Sequence, residues 1–126
     1  MERKKYVFKV EEIEPIPLTE KGYTGFLLSD NVLLSFIEQP PGAEFPLHKH
    51  EEEQIMIILE GSEEHIVDGQ RIHMEKGDVC IHPPNVEHGG YTATGFKGID
   101  IFVPPRRNYI ELIKKYKEKK ESKNTE

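Results

Sequence analysis

The 126-residue chain contains one cysteine, Cys80. A single thiol cannot close a disulfide within the chain, so a disulfide framework is excluded. Cys80 stands in GDVCIHPP, a short strand pattern in which a buried small hydrophobe is the simplest role. Long apolar runs are also missing. The N-terminal MERKKYVFKV starts basic but continues into no signal-length hydrophobic stretch. No segment approaches the ~20 apolar residues of a membrane-spanning helix. A cytoplasmic protein without membrane contact is the expectation. Nor is there an excess of positive charge: the formal net charge is −6, which argues against nonspecific binding to nucleic acid or to an anionic membrane. A small anionic ligand stays open, because one arginine or one metal ion can reverse the field inside a pocket. A helix-turn-helix region is absent too, which sets a complete transcription factor aside.

What is present is a series of short apolar segments between turn formers. Hydrophobic residues make up 36% and charged residues 32% of the chain, a globular composition whose length fits one domain over residues 1–126. YVFKV, YTGFLLS and NVLLSFIEQ read as strands, with Asp30 and Asn31 as a turn. EQIMIILEG reads as the strongest strand, closed by Gly61. EEHIVDG follows as a separate strand and ends in a hairpin signal at Asp68 and Gly69. QRIHMEKGD, VCIH, EHGGYTA and GFKGIDIFV complete the set. After Arg107 the pattern changes. Ile110 and Ile113, with Leu112 and Tyr116 as further candidates, recur at helical spacing and predict a short amphipathic C-terminal helix over about residues 107–120. Eight or more short strands and almost no helix predict an all-β sandwich or barrel.

One stretch carries chemistry. Residues 44–54 read EFPLHKHEEEQ. In a strand, His48 and His50 share a face while Lys49 points away, so both imidazoles can enter one cavity, and imidazole ligates many divalent metals. Glu51, Glu52 and Glu53 read as a solvated charge run. Glu53 lies one residue from Gln54 and so faces the other way, which suits a buried salt bridge outside the cavity. His88 follows Pro83, Pro84 and Asn85 at the end of another segment. His65 reads as packed or surface, with an interior position as the alternative. His73 reads as solvated, and parity leaves His82 open.

Glycines bracket both histidine segments. Gly42, His48, His50, Gln54 and Gly61 stand at the offsets of the first cupin motif, and Gly77, Pro83 and His88 at those of the second. The chain therefore resembles the cupins over about residues 24–105. Asn85 occupies the position of the second motif's internal glycine, and Thr92 replaces its final asparagine. The resemblance implies a double-stranded β-helix, the jelly-roll barrel, holding one divalent metal on His48, His50, Gln54 and His88. The usual glutamate is here Gln54. A neutral amide adds no charge, so three imidazoles and an amide leave a divalent ion at its full +2, which favours polarising an anionic, oxygen-rich substrate.

The last strand adds Asp100 and Phe102 on one face of GIDIFV. A carboxylate in an apolar strand needs a partner or a task. It either bonds a turn, Arg106 or Arg107, or serves as a general acid and base. Arg106, after Pro104 and Pro105, can hold a carboxylate in two parallel bonds or lie at the surface. HKHEEEQ, PPNVEH and DIFVPPR together resemble the small uronate-linearising cupins of pectin and alginate breakdown. That resemblance implies ring opening and ketonisation of a 4,5-unsaturated uronate. It assigns the metal (nickel, zinc, manganese or iron) to His48, His50, Gln54 and His88, proton transfer to Asp100, the pocket wall to Phe102 and the substrate carboxylate to Arg106. The alternatives are a metal-dependent dioxygenase, for which three histidines also leave coordination sites free, and a non-catalytic small-molecule-binding cupin. A homodimer is the expected assembly, with residues 6–10 as a strand for edge pairing or exchange between barrels.

Overall fold

In the computed structural model, which describes residues 4–124, parity builds the strands. Every second residue of β3 (Leu33–Gln39) and β9 (Phe96–Val103) is buried and the intervening ones face outward. The other strands among the described residues are β1 (Pro15–Pro17), β2 (Tyr23–Leu28), β4 (Glu44–His48), β5 (Glu53–Val67), β6 (Gln70–Glu75), β7 (Val79–His82) and β8 (His88–Tyr91), and one helix follows, α1 (Arg107–Asn124). All pairings are antiparallel. The path β1-β2-β3-β9-β5 continues through β8 to β4, with β6 and β7 also paired to β5. The sheet curls on itself as the jelly-roll barrel of the cupin fold, with the helix at its C-terminal end.

The turns obey their residues. Leu28 pairs with Leu33 across Asp30 and Asn31, and the Ser29 amide donates to the Val32 carbonyl at 2.9 Å. Asp68 and Gly69 adopt φ of 51° and 74°, the two positive values that a two-residue hairpin turn of the primed type needs. Gly61 behaves differently from its expected role as a stop. β5 runs through it for 15 residues. Ile58 pairs with Gly98 and Glu60 with Lys97, so Leu59 is an extra residue opposite β9, which is a β-bulge. Gly61 takes φ 78°, and a Cβ there would lie 2.1 Å from the Gly95 carbonyl oxygen. The bulge moves β5 from partners β7 and β9 to partners β6 and β8. It also reverses parity: Gln54, Met56 and Ile58 are buried before it, and Glu63, His65 and Val67 after it.

Ile37, Met56, Ile58, Val67, Met74, Cys80 and Phe96 form the apolar core, with Phe45 and Ile72 packed against it. Burial of a single such side chain contributes about 1.5–3 kcal/mol. Further along the same inward faces the residues turn polar, to Gln54, His82 and Asp100. Helix α1 packs through Tyr109, a residue outside the expected apolar set, which lies against Phe26 and Phe102 with ring centroids 5.1 and 5.3 Å apart. Lys120 and Glu14, 2.6 Å apart, tie the helix to the N-terminal segment.

That segment corrects an expectation. Residues 6–9 form no strand, and Val10–Glu12 is a single 3-10 turn. The edge of β2 is taken instead by β1, Pro-Ile-Pro. Proline lacks an amide donor, so sequence patterning demotes such a run, yet an edge strand tolerates it.

Candidate metal centre

Three strand ends deliver the imidazoles. β4 stops at His48, which pairs with His88 at the start of β8. His50 lies two residues past the strand, so the two histidines of HKH do not share one strand. They converge all the same. Ring centroids are 5.6 Å apart for His48 and His50, 4.4 Å for His48 and His88, and 4.9 Å for His50 and His88. One ligand atom from each lies within 4.8 Å of the others. The Asn85 amide donates to the His50 carbonyl at 2.8 Å and so joins the two motifs. Asn85 has φ 62°. Asparagine enters this left-handed region more readily than most residues, so the replaced glycine costs the turn little.

Each ring is oriented by its own backbone. The Nδ1–H of His48 donates to the Pro46 carbonyl at 2.8 Å, that of His50 to the Glu52 carbonyl at 2.9 Å, and that of His88 to the Val86 carbonyl at 2.9 Å. These bonds set the tautomer and leave every Nε2 with a free lone pair. Gln54 is fixed from behind: its Nε2 donates to Asp100 Oδ1 at 3.0 Å. Its Oε1 is therefore turned forward, 3.1 Å from Nε2 of both His50 and His88. Three acceptor atoms so placed repel one another unless a cation lies among them. The donor set thus fits the implied metal, with three imidazole nitrogens and an amide oxygen as ligands.

Burial holds the cluster ready for such an ion. It lowers the pKa of His48 and His50 from 6.5, helped at His50 by the Arg106 charge, and lowers that of His88 to about 4. All three are neutral near pH 7 and do not need to shed a proton. Burial raises the Asp100 pKa to about 7, against the bond from Gln54. Asp100 thus bonds Gln54, and none of the turn or arginine partners read from sequence.

Phe102 is fully buried with its ring 5.8 Å from that of His50. The Arg106 guanidinium sits 4.1 Å from the Tyr109 ring centroid and 5.6 Å from that of Phe102. Its Nε is buried without a hydrogen-bond partner. A small cavity of about 30 Å³ touches His48, Gln54, His88, Asp100, Arg106 and Tyr109. A wider cleft of about 460 Å³ shares His48, Arg106 and Tyr109 with it and opens outward past Pro46 and Glu20.

The acidic run sorts differently from its expected order. Glu53 is exposed, while Glu52 is buried and accepts a 2.9 Å bond from the Arg107 amide. Residues 49–52 are not strand, so parity counted back from Gln54 fails there. Burial works against a charge on Glu52, but the amides of Arg107 and of Glu52 itself, with the charges of His50 and Arg106, together outweigh it and lower its pKa. His73 is exposed as expected, beside Glu64 and Glu75.

Two more histidines lie deeper. His65 and His82 are buried, 5% and 0% exposed, with Nε2 atoms 2.6 Å apart. Patterning left His65 packed or at the surface, with an interior position as the alternative, because the bulge that reverses parity is invisible without the register. Tyr109 was also missed; its only signal was an aromatic residue at the first turn of the helix.

Residues 35–102 match the family described as Cupin domain. The chain belongs to the cupin family. This cupin is 35% identical over 75 residues to the H2HPP isomerase of Bacillus subtilis, a match covering 58% of the chain and 32% of that protein. It thus spans about a third of that curated relative's length. A crystal structure of an RmlC-like cupin from Shewanella frigidimarina superposes with a TM-score of 0.79 at 27% identity, covering 86% of this chain and 99% of the other. KdgF from a Halomonas species superposes at 0.78 with 20% identity, covering 84% and 99%. A predicted oxalate decarboxylase from Thermotoga maritima gives 0.72 at 24%, covering 79% and 99%. The last two likenesses are of fold.

Proposed function

We propose that this cupin is a metal-dependent enzyme for small anionic sugar acids, and that it promotes ring opening and ketonisation of a 4,5-unsaturated uronate. One observation carries the reading. Gln54 bridges a buried carboxyl group to the imidazole cluster, its amide nitrogen on Asp100 and its oxygen between His50 and His88. A proton-transfer group is thereby fixed beside the ligand set, at a pKa of about 7 set by burial, where it can both accept and release a proton.

His48, His50, Gln54 and His88 would hold the ion, which when bound supplies Lewis-acid polarisation of substrate oxygens. Arg106, with no hydrogen-bond partner on its buried Nε, pairs with the substrate carboxylate in the parallel geometry that guanidinium favours. Tyr109 holds that guanidinium by stacking under it. Phe102 closes the pocket wall and keeps water from the ring. Asp100 takes the proton of the anomeric hydroxyl as the bond between C1 and the ring oxygen breaks. C1 becomes an aldehyde, and the ring oxygen stays on C5 as an enolate oxygen. Asp100 then returns the proton to C4, and C5 becomes a ketone. One proton moves from O1 to C4 and no electrons are exchanged, so the reaction needs no oxygen. The motifs HKHEEEQ, PPNVEH and DIFVPPR support this substrate class, and the name of the partial Bacillus relative, an isomerase, is compatible with such a non-redox shift.

The test is NMR of an unsaturated uronate monomer with metal-loaded protein under anaerobic conditions. Faster loss of the vinylic C4 proton signal is expected. A rate equal to the protein-free rate removes the uronate reading, and turnover that depends on oxygen selects the dioxygenase.

A further inference from the structure

The three deep residues that the proposed reaction leaves unused form a second ligand set. β7 carries Cys80 and His82 on its inward face, paired with Met56 and Gln54 of β5. The bulge at Gly61 turns His65 toward them from the far half of β5. His65, Cys80 and His82 each offer one ligand atom, all within 4.8 Å of one another, and all three residues are buried.

Both imidazoles are oriented as metal ligands are. The His82 Nδ1–H donates to the Gln54 carbonyl at 3.2 Å. His65 Nδ1 is held by Glu63, a carboxylate only 2% exposed. A carboxylate or carbonyl on the outer nitrogen of a histidine is the arrangement that fixes its tautomer and strengthens it as a ligand. The two Nε2 atoms then face each other at 2.6 Å, and the Cys80 sulfur bonds His65 besides its long 3.9 Å contact to the Ile81 carbonyl. Nitrogens so close need a proton or a metal ion between them. A proton on His65, held between Glu63 and His82, is one candidate, but it leaves the cluster short of positive charge if the thiol ionises.

We propose that His65, His82 and Cys80 form a second, buried metal site suited to zinc. Imidazole nitrogen and thiolate are both zinc ligands, and a tetrahedral ion with Zn–N of about 2.0–2.1 Å would spread the nitrogens to about 3.3 Å. The rings must therefore part by roughly 0.7 Å on occupancy, a shift within reach of small χ adjustments. A fourth position opens toward the cavity of about 30 Å³ lined by Glu63, His65 and Met56, which has room for about one water. Charge also closes: an ion of +2 is met by the Cys80 thiolate and by Glu63 behind His65. The ligands are buried and that cavity is too small for a substrate, so the ion enters as the chain folds and serves the fold.

Sulfur makes the test specific, because the outer ligand set contains none. The protein is produced in minimal medium supplemented with cobalt, and bound ions are counted by native mass spectrometry alongside the near-ultraviolet spectrum. Two ions per chain and a thiolate-to-cobalt charge-transfer band are expected. The double variant His48→Ala, His50→Ala is expected to lose one ion and keep the band. Cys80→Ser is expected to lose the band and the other ion. One ion per chain with no thiolate band in the wild type overturns the proposal and leaves a proton between the imidazoles. Should Cys80→Ser not fold, the wild-type count and band decide alone. The outcome is independent of whether uronate is the substrate.

Discussion

Two histidine clusters share one barrel and differ in what completes them. The outer cluster has three imidazoles completed by the amide of Gln54, a neutral group, and it borders a cleft of about 460 Å³. The inner cluster has two imidazoles completed by a thiol and backed by the Glu63 carboxylate, and it is buried. An ion at the outer site would keep its charge for a ligand arriving from solvent. At the inner site its charge would be met within the protein. On the proposed reading, the fourth partner and the exposure, more than the histidines, separate a substrate site from one that serves the fold.

The largest effect comes from breaking the outer cluster. His88→Ala removes a ligand and leaves a hole between His48 and His50. Uronate turnover is expected to fall to the protein-free rate, with one ion lost and the cobalt–thiolate band retained, as read by metal analysis and absorption. A band lost together with activity would show the two clusters to be one unit.

Asp100→Asn is next. It keeps an oxygen for the Gln54 amide and removes the proton carrier. A fall in kcat of about 10²–10⁴-fold is expected, with the outer metal still bound. Gln54→Glu makes the outer site resemble the inner one in charge. Tighter metal retention against a chelator and a fall in kcat of about 10–100-fold are expected, and unchanged kcat would show the neutral amide to be irrelevant. Cys80→Ser tests the inner site as a fold element: a drop of about 3–6 °C in Tm per kcal/mol lost is expected for a chain of this size, larger in zinc-loaded than in chelator-treated protein.

The smallest effect is in pH. Folding raises the Asp100 pKa from 3.8 to about 7, chiefly by burial. The folded chain therefore holds a proton that the unfolded chain has released between those values. The stabilising contribution is full below the unfolded pKa and is lost as pH rises toward 7. In chelator-treated protein, the depressed pKa values of His48, His50 and His88 give the opposite slope, so the decline is read as the difference between wild type and Asp100→Asn in denaturant titrations from pH 4 to 8, with the wild type losing its advantage as pH rises toward 7.

The outer site was largely legible in sequence because its residues sit at fixed offsets from glycines that the backbone needs. Gly42 and Gly77 have φ of 90° and 93°, so their places mark turns whatever the strands do. Asp100 and Phe102 were legible by parity, since β9 is regular throughout. The inner site was not. His65 faces inward only because one extra residue at Leu59 reverses the alternation of β5, and a bulge is a property of the register with β9. Glu52 was mistaken for its neighbour for a related reason: the chain between His48 and Glu53 leaves the strand, and parity has no meaning there. Tyr109 reaches the mouth from a helix, where strand alternation says nothing about facing. Patterning read the regular strands and failed where the chain changes period.

The most direct test follows one proton. Turnover of the unsaturated uronate in D₂O, monitored by NMR, is predicted to place a single deuterium at C4 on one face only, with Asp100→Asn losing both the rate and the facial preference. Equal labelling of both faces by the wild type, or unchanged rate and preference in Asp100→Asn, would contradict the assignment of Asp100 as the proton carrier beside the ligand set.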